Sequence, residues 1–261
     1  MFLAANIGNT NMNLALFGEG KWQSVCLLPI GDEKNLKHRI TSTIEDECLA
    51  SLRVAIIASV NPLAEDALIR VLSQNYRLPI FKAGSDLDIP IVNRTDFPEK
   101  VGVDRLLNAL AAYRLKKSAA VVVDVGTAIT VDAVSAQGEF LGGAIAPGLR
   151  LASSSLAEKA SLLPLVKMSE PSSAIGRNTK EAIKSGGFWG TVGLVDALVE
   201  RVLKELGEDA SVIATGGDAP LLAPHSKFMS EIFPHLTLEG LRCTLIDNAP
   251  LLQSRGVELD L

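Results

Sequence analysis

The chain has 261 residues, 48% apolar and 21% charged, and its 25 basic against 30 acidic side chains leave a formal charge of −5. This suits a globular protein with one large or two modest cores; the mild acidity and 5% aromatic content argue against a nucleic-acid-binding surface. Three widely spaced cysteines, Cys26, Cys48 and Cys243, with no Cys-x-x-Cys, argue against a disulfide scaffold or structural zinc, and no signal-peptide pattern or run of about 20 apolar residues is present, so no membrane association and a cytoplasmic location are expected.

In chain order, Phe2–Ile7 reads as a buried strand that runs into the polar turn Gly8-Asn9-Thr10-Asn11. A second run at 12–17 ends at Gly18-Glu19-Gly20 and a third follows at 22–28, which predicts a β-meander. Residues 33–50 have a helical, mostly polar pattern; 54–58 form a short buried strand; Leu63, Leu68, Ile69, Val71 and Leu72 share a helical face. Ile80-Phe81 and Ile89-Pro90-Ile91 are short, proline-flanked strand candidates. Leu106, Leu107, Leu110 and Tyr113 stripe an alanine-rich helix ending near Lys116-Lys117, and 119–123 is a fully buried strand. From Asp124 the opening pattern repeats: the turn Gly126-Thr127, a strand at 129–134, a turn at Gln137-Gly138 and a strand at 139–141. Ala144-Ile145-Ala146, bracketed by Gly142-Gly143 and Pro147-Gly148, leads to a helix at 148–160; a helix at Thr179–Leu206 and a strand at Ser211–Thr215 precede Gly216-Gly217.

Asn6-Ile7-Gly8-Asn9-Thr10 and Asp124-Val125-Gly126-Thr127-Ala128 therefore look like one device used twice. A short turn after a buried strand exposes N–H groups, glycine permits close approach of a phosphate, and Thr and Asn add neutral donors; two tight hairpin turns are the structural alternative. Neither a P-loop nor a Gly-x-Gly-x-x-Gly motif follows a strand, so a phosphate site would use another architecture. Asp104, in Gly102-Val103-Asp104-Arg105, is either a first-turn helix charge or a carboxylate for a hydroxyl acceptor. Asp124 ends an apolar strand, where a carboxylate needs a cation or hydrogen bonds. Arg105 could fork onto a substrate carboxylate or form an internal salt bridge, and Gly216-Gly217 could let an adenine or ribose lie on the backbone.

These residues, together with Asn108-Ala109, Asp132, Gly142-Gly143-Ala144-Ile145-Ala146-Pro147-Gly148, Ile175-Gly176-Arg177-Asn178-Thr179 and Thr215-Gly216-Gly217, resemble the type III pantothenate kinases in order and spacing over nearly the whole chain. The resemblance implies an α/β, duplicated ribonuclease-H-like (actin-like ATPase) fold. Two lobes, 1–115 and 116–261, would each hold a mixed β-sheet flanked by helices, with ATP between them. It implies transfer of the γ-phosphoryl of ATP to pantothenate, giving 4′-phosphopantothenate, the first committed intermediate of coenzyme A synthesis. By the same resemblance Asn6, Ile7, Gly8, Asn9, Thr10, Asn11, Met12, Asn13 and Thr127 bind ATP; Gly102, Val103, Asp104, Arg105 and Thr179 contact pantothenate; Asp104 is the general base. Asp124 would hold a monovalent cation, potassium or ammonium, magnesium would arrive with ATP, and a homodimer partner would help complete the pantothenate pocket.

Two positions depart from the family pattern. Asn6 stands where its first turn normally has aspartate, which removes a negative charge from the expected magnesium and phosphate assembly. Thr95-Asp96-Phe97-Pro98 carries no tyrosine where one commonly meets the substrate. A catalytically impaired nucleotide-binding or regulatory homologue, or a kinase for another small hydroxy acid, are the alternatives these departures motivate.

Overall fold

A computed structural model describes residues 1–31, 35–44, 51–207 and 209–258. Strands β1 (Phe2–Ile7), β2 (Asn11–Gly18), β3 (Lys21–Pro29), β4 (Val54–Ser59) and β5 (Ile80–Lys82) form a first sheet in the order β3-β2-β1-β4-β5. β1, β2 and β3 make the antiparallel meander expected from the sequence, and β4 pairs parallel to β1. The second sheet is built from β6 (Val92–Asn93), β7 (Ala120–Val125), β8 (Ala128–Val134), β9 (Glu139–Pro147) and β10 (Ser211–Thr215), ordered β10-β7-β8-β9-β6. Here β7, β8 and β9 are the meander, and β10 runs parallel to β7 as β4 does to β1. The device read twice in the sequence thus sits at equivalent places in two mixed sheets.

Alternation of side chains across the first sheet divides it into two cores. Leu3, Ala5, Ile7, Leu14, Leu16, Ala55 and Ile57 face one way, against Leu36 and Ile40 of a helix at Leu36–Thr43 and Ala64, Leu68 and Leu72 of a helix at Pro62–Tyr76. Phe2, Ala4, Ala15, Phe17, Val54 and Ile56 face the other way, against Leu107 of the Val103–Lys116 helix and Leu238, Leu241 and Leu245 of the Leu236–Asp247 helix. In the second sheet, Val121, Val123, Val125, Ile129 and Val131 pack on Phe188, Val192, Val195 and Val199 of the long Thr179–Leu206 helix. Asn178 caps that helix by accepting from the Glu181 N–H at 3.0 Å, and Gly207, left-handed at φ 64°, closes it.

Contacts divide the chain into one compact unit made of Met1–Ile91, Glu99–Ala111 and Thr237–Leu261, and a second made of Val92–Pro98 and Ala112–Leu236. This differs from lobes at 1–115 and 116–261: the last two helices, Leu236–Asp247 and Ala249–Ser254, supply Leu238, Leu241, Leu245 and Leu252 to the first sheet's core. Those leucines pack in the core on that sheet, a long-range pairing that local sequence pattern does not report. Other differences are smaller. The expected 139–141 strand and the 144–146 segment are one strand, β9, and 89–91 holds no strand. The helix expected over 33–50 is present at Leu36–Thr43, while 33, 34, 45–50 and with them Cys48 lie outside the described residues.

The first unit includes one tight approach with a measurable consequence. A methyl group at Gly240 would collide with the backbone carbonyl oxygen of Leu107 and lie 2.7 Å from its carbonyl carbon. Alanine inside an exposed helix would gain about 1 kcal/mol over glycine, but overpacking against backbone costs about 1–3 kcal/mol and Leu107 belongs to the helix that starts with Asp104. Gly240→Ala is expected to lose up to about 2 kcal/mol in urea unfolding; a gain in stability would contradict this packing.

Candidate nucleotide and substrate site

In the first unit, Gly8 N–H donates to the Asn11 carbonyl at 2.9 Å, closing the turn between β1 and β2, and Val60 N–H donates to Ile7 O at 3.0 Å beside it. Asn9 and Thr10 are exposed, whereas Ile7 and Met12 are buried, so the latter two contribute backbone only. Asn6 and Asn13 are half-buried cross-strand partners on the sheet face that carries Phe2, Ala4, Ala15 and Phe17. The Val103–Lys116 helix packs on that same face through Val103 and Leu107. Its first turn presents Asp104, half-buried, whose Oδ1 accepts the Arg105 N–H at 2.9 Å. The two amides and the carboxylate therefore belong to one side of one sheet. Gly102, Val103 and Arg105 are half-buried around Asp104. Buried Asn108, one turn further on, hydrogen-bonds to Thr237 Oγ1 at 2.7 Å and ties this helix to the Leu236–Asp247 helix.

In the second unit, Asp124 and Thr127 flank the equivalent turn; Asp124 is half-buried and Thr127 is exposed. Two glycines press on this turn. Gly148 N–H donates to Thr127 O at 3.1 Å, and a Cβ there would collide with Gly126 O and lie 2.6 Å from Thr127 O. Gly216, at φ +94°, takes a conformation side chains rarely adopt, and its Cβ would collide with Val125 O and lie 2.5 Å from Asp124 Oδ1. Asp218 N–H then donates to Val125 O at 3.0 Å. Asp132, by contrast, is buried within the second sheet, on strand β8 opposite Val122 and Gly143; it belongs to the other unit from Asn6.

Thr179 is the first residue of the long helix, exposed, and lines an open depression of 630 Å³ with Ser161, Leu162, Leu163, Pro164, Asn178 and Lys180. Sequence reasoning missed Asp218 and Arg150. Asp218 Oδ2 is buried without a hydrogen-bond partner, and Arg150 Nε lies 4.0 Å from it. Burial pushes the Asp218 carboxyl above the ordinary carboxylate range, with Arg150 opposing the shift. The available sequence signal was an aspartate directly after the glycine pair. In the Thr95-Asp96-Phe97-Pro98 segment, Thr95 Oγ1 is engaged as a donor to Asn93 Oδ1 at 2.8 Å, and Phe97 is 59% exposed.

The fit of the expected ions can be judged from these donors. Among the described residues no group of three His, Cys, Asp or Glu side chains converges. The oxygens crowding Gly216, a carboxylate and a carbonyl, are hard ligands suited to an oxygen-seeking cation. No helix among the described residues is long and apolar enough to cross a membrane.

Comparison with known proteins decides the lineage: the type III pantothenate kinase family pattern matches residues 2–201. The chain belongs to the type III pantothenate kinase family. It is 39% identical over 255 residues to the type III pantothenate kinase of Parafrankia sp., covering 95% of this chain and 98% of the relative. With that of Rhodococcus erythropolis it shares 40% over 260 residues, 93% of each chain. Among solved structures, a conserved Baf family protein from Campylobacter jejuni superposes with TM-score 0.60 at 21% identity over 94% of this chain and 98% of its own. The activator of 2-hydroxyisocaproyl-CoA dehydratase from Clostridium difficile, with bound ADPNP, superposes with TM-score 0.51 at 11% identity, covering 100% of this chain and 99% of its own. The fold of this kinase family is thus the α/β, duplicated actin-like ATPase fold expected from the sequence.

Two outcomes follow for this kinase. Gly148→Ala must displace the backbone of the Gly126-Thr127 turn, so the variant is expected to lose about 1–3 kcal/mol in urea unfolding; unchanged stability would contradict this packing. Because the folded Asp218 carboxyl titrates above its unfolded value, the native state binds the extra proton and stability falls as pH rises from about 4 through the folded value. Asn at 218 removes that loss. The thermal midpoint of Asp218→Asn relative to the native chain is expected to be higher at about pH 7.5 than at about pH 4; a constant difference would contradict it.

Proposed function

We propose that this chain phosphorylates pantothenate with ATP, giving 4′-phosphopantothenate at the first step of coenzyme A synthesis, in the cytoplasm. The observation that carries this reading is Asp104, a carboxylate at the start of a helix packed on the face that carries Asn6 and Asn13, in a chain of this family. Phosphoryl transfer demands little covalent chemistry of the protein and much positioning, with donors on the phosphates and a carboxylate at the acceptor oxygen. Exposed Asn9 and Thr10 of the turn residues 6–13 in the first unit, and exposed Thr127 in the second, each offer neutral donors of the kind a phosphate takes.

Asp104 Oδ2 is the oxygen that accepts the hydroxyl hydrogen bond of pantothenate, since Oδ1 is engaged by the Arg105 N–H. It takes the proton late, as the bond to phosphorus forms and the bond to the ADP oxygen breaks. Arg105 pairs with the pantothenate carboxylate through its forked donors; in the second unit, exposed Thr179 lines its own depression with a hydroxyl for substrate. Magnesium carried by ATP and a monovalent cation at Asp124, potassium or ammonium, supply charge neutralisation when bound. At its own turn Asn6 offers an amide oxygen in place of the family carboxylate, which attracts a divalent ion weakly. A homodimer is supported by apolar side chains exposed in one unit: Ile145 at 64%, Leu162 at 92%, Leu165 at 69% and Ile175 at 79%.

Asp104→Asn keeps the helix start and removes the base. Its kcat with pantothenate is expected to drop about 10²–10⁴-fold while ATP affinity and thermal midpoint hold; full turnover would end the assignment. Turnover of the native chain is expected to be several times higher in potassium than in sodium at equal ionic strength, and equal rates would remove the cation from Asp124.

A further inference from the structure

The donors assigned to the triphosphate are all neutral, and neither strand-end turn contains a lysine or arginine. A polyanion held in a kinase is normally met by a fixed cation as well. In the second unit such a group stands beside the nucleotide turn. Gly148, which bonds to Thr127 O, precedes the helix Leu149–Lys159, and Arg150 is the second residue of that helix. On the other flank, Asp218 bonds through its N–H to Val125 O. Arg150 and Asp218 therefore reach each other across the turn residues 125–127, with Nε 4.0 Å from Oδ2.

The pair is poorly made for a purely structural purpose. Arg150 is 58% exposed, and at 4.0 Å it leaves Oδ2 buried without a hydrogen bond. Exposed or loose ion pairs contribute little to stability, and a buried acceptor without a donor subtracts from it. What the arrangement does achieve is placement: the buried carboxylate draws the guanidinium toward the turn by charge, and with Nε still 4.0 Å from Oδ2 and the side chain 58% exposed, its donors stay open to an anion. A group kept at a cost in stability next to a binding turn is the pattern expected of a functional residue.

We propose that Arg150 is the cation that meets the ATP phosphates at the Gly126-Thr127 turn, and that Asp218 is the positioning residue that holds its guanidinium there. This rests on the pantothenate kinase reading above and adds to it a charged contact at a position outside the motifs that carried the family resemblance.

The test compares the native chain with Arg150→Gln, Arg150→Lys, Asp218→Asn and the double variant Arg150→Gln/Asp218→Asn, in steady-state kinetics and in calorimetry with a non-hydrolysable ATP analogue and magnesium. Arg150→Gln is expected to raise the KM for ATP about tenfold with the KM for pantothenate unchanged, and Arg150→Lys to recover part of the loss. Asp218→Asn is expected to raise the ATP KM about threefold without lowering the thermal midpoint, and the double variant to match Arg150→Gln alone, because Asp218 acts through Arg150. An unchanged ATP KM in Arg150→Gln overturns the proposal; so does Asp218→Asn that lowers the thermal midpoint and leaves the ATP KM alone, which is the signature of a structural pair. The analogue titration separates the two readings. If the native chain does not phosphorylate pantothenate yet binds the analogue in an Arg150-dependent way, the function assignment fails and this inference stands. If pantothenate is phosphorylated and analogue affinity ignores Arg150, the reverse holds.

Discussion

The Gly126-Thr127 turn keeps its form because the chain passes it twice without a side chain, at Gly148 and at Gly216. Either position would place a methyl group on a backbone oxygen of residues 125–127, and backbone in a tight turn between two paired strands cannot yield as a flexible side chain can. Much else in the second unit follows from this close approach. Gly148 starts the helix that carries Arg150; Gly216, in its left-handed conformation, turns the chain after β10 so that Asp218 can bond to Val125. A polar turn at the end of a buried strand, clamped by backbone on both flanks, presents the same donors whether or not an anion is present, and that preorganisation is what phosphate recognition requires.

The first unit reaches a similar end with different means. Its turn is closed by the Gly8 to Asn11 hydrogen bond and sits on a sheet buried on both faces, with Leu36–Thr43 and Pro62–Tyr76 on one side and Val103–Lys116 and Leu236–Asp247 on the other. Asp104 is held by the second of these layers: Leu107 is in the core, Asn108 is bonded to Thr237, and Gly240 lets the two helices touch at backbone. In the proposed role of Asp104 towards a hydroxyl oxygen, a support of this rigidity matters, since an error of about 1 Å costs about 10²-fold in rate.

Much of this was legible in the residues, for identifiable reasons. The meander strands were readable because buried strands with alternating or continuous apolar character end in glycine-rich polar turns, and the long helix was readable to its ends because Asn178 caps it and Gly207 stops it. The repeated turn, with Asp124 and Thr127, could be found by comparing the chain with itself. What could not be read was long-range. Nothing local in 236–254 says that its leucines serve the first sheet, and nothing in Arg150 alone points to Asp218, which follows only after the rest of the Arg150 helix, the whole Thr179–Leu206 helix and strand β10. Gly142, at φ +108°, reads as a break in sequence, yet the register shift between Ala133 and Val134 absorbs it and β9 continues to Pro147.

The proposed function is one chemical event, transfer of the γ-phosphoryl from ATP to the pantothenate hydroxyl. The measurement that tests it most directly follows ADP release and product mass together, with the native chain, magnesium and potassium, with and without pantothenate. ADP formed only when pantothenate is present, matched one for one by phosphorylated pantothenate, is the result predicted. ADP release that ignores pantothenate, or no turnover at any magnesium concentration while ATP still binds, would contradict it.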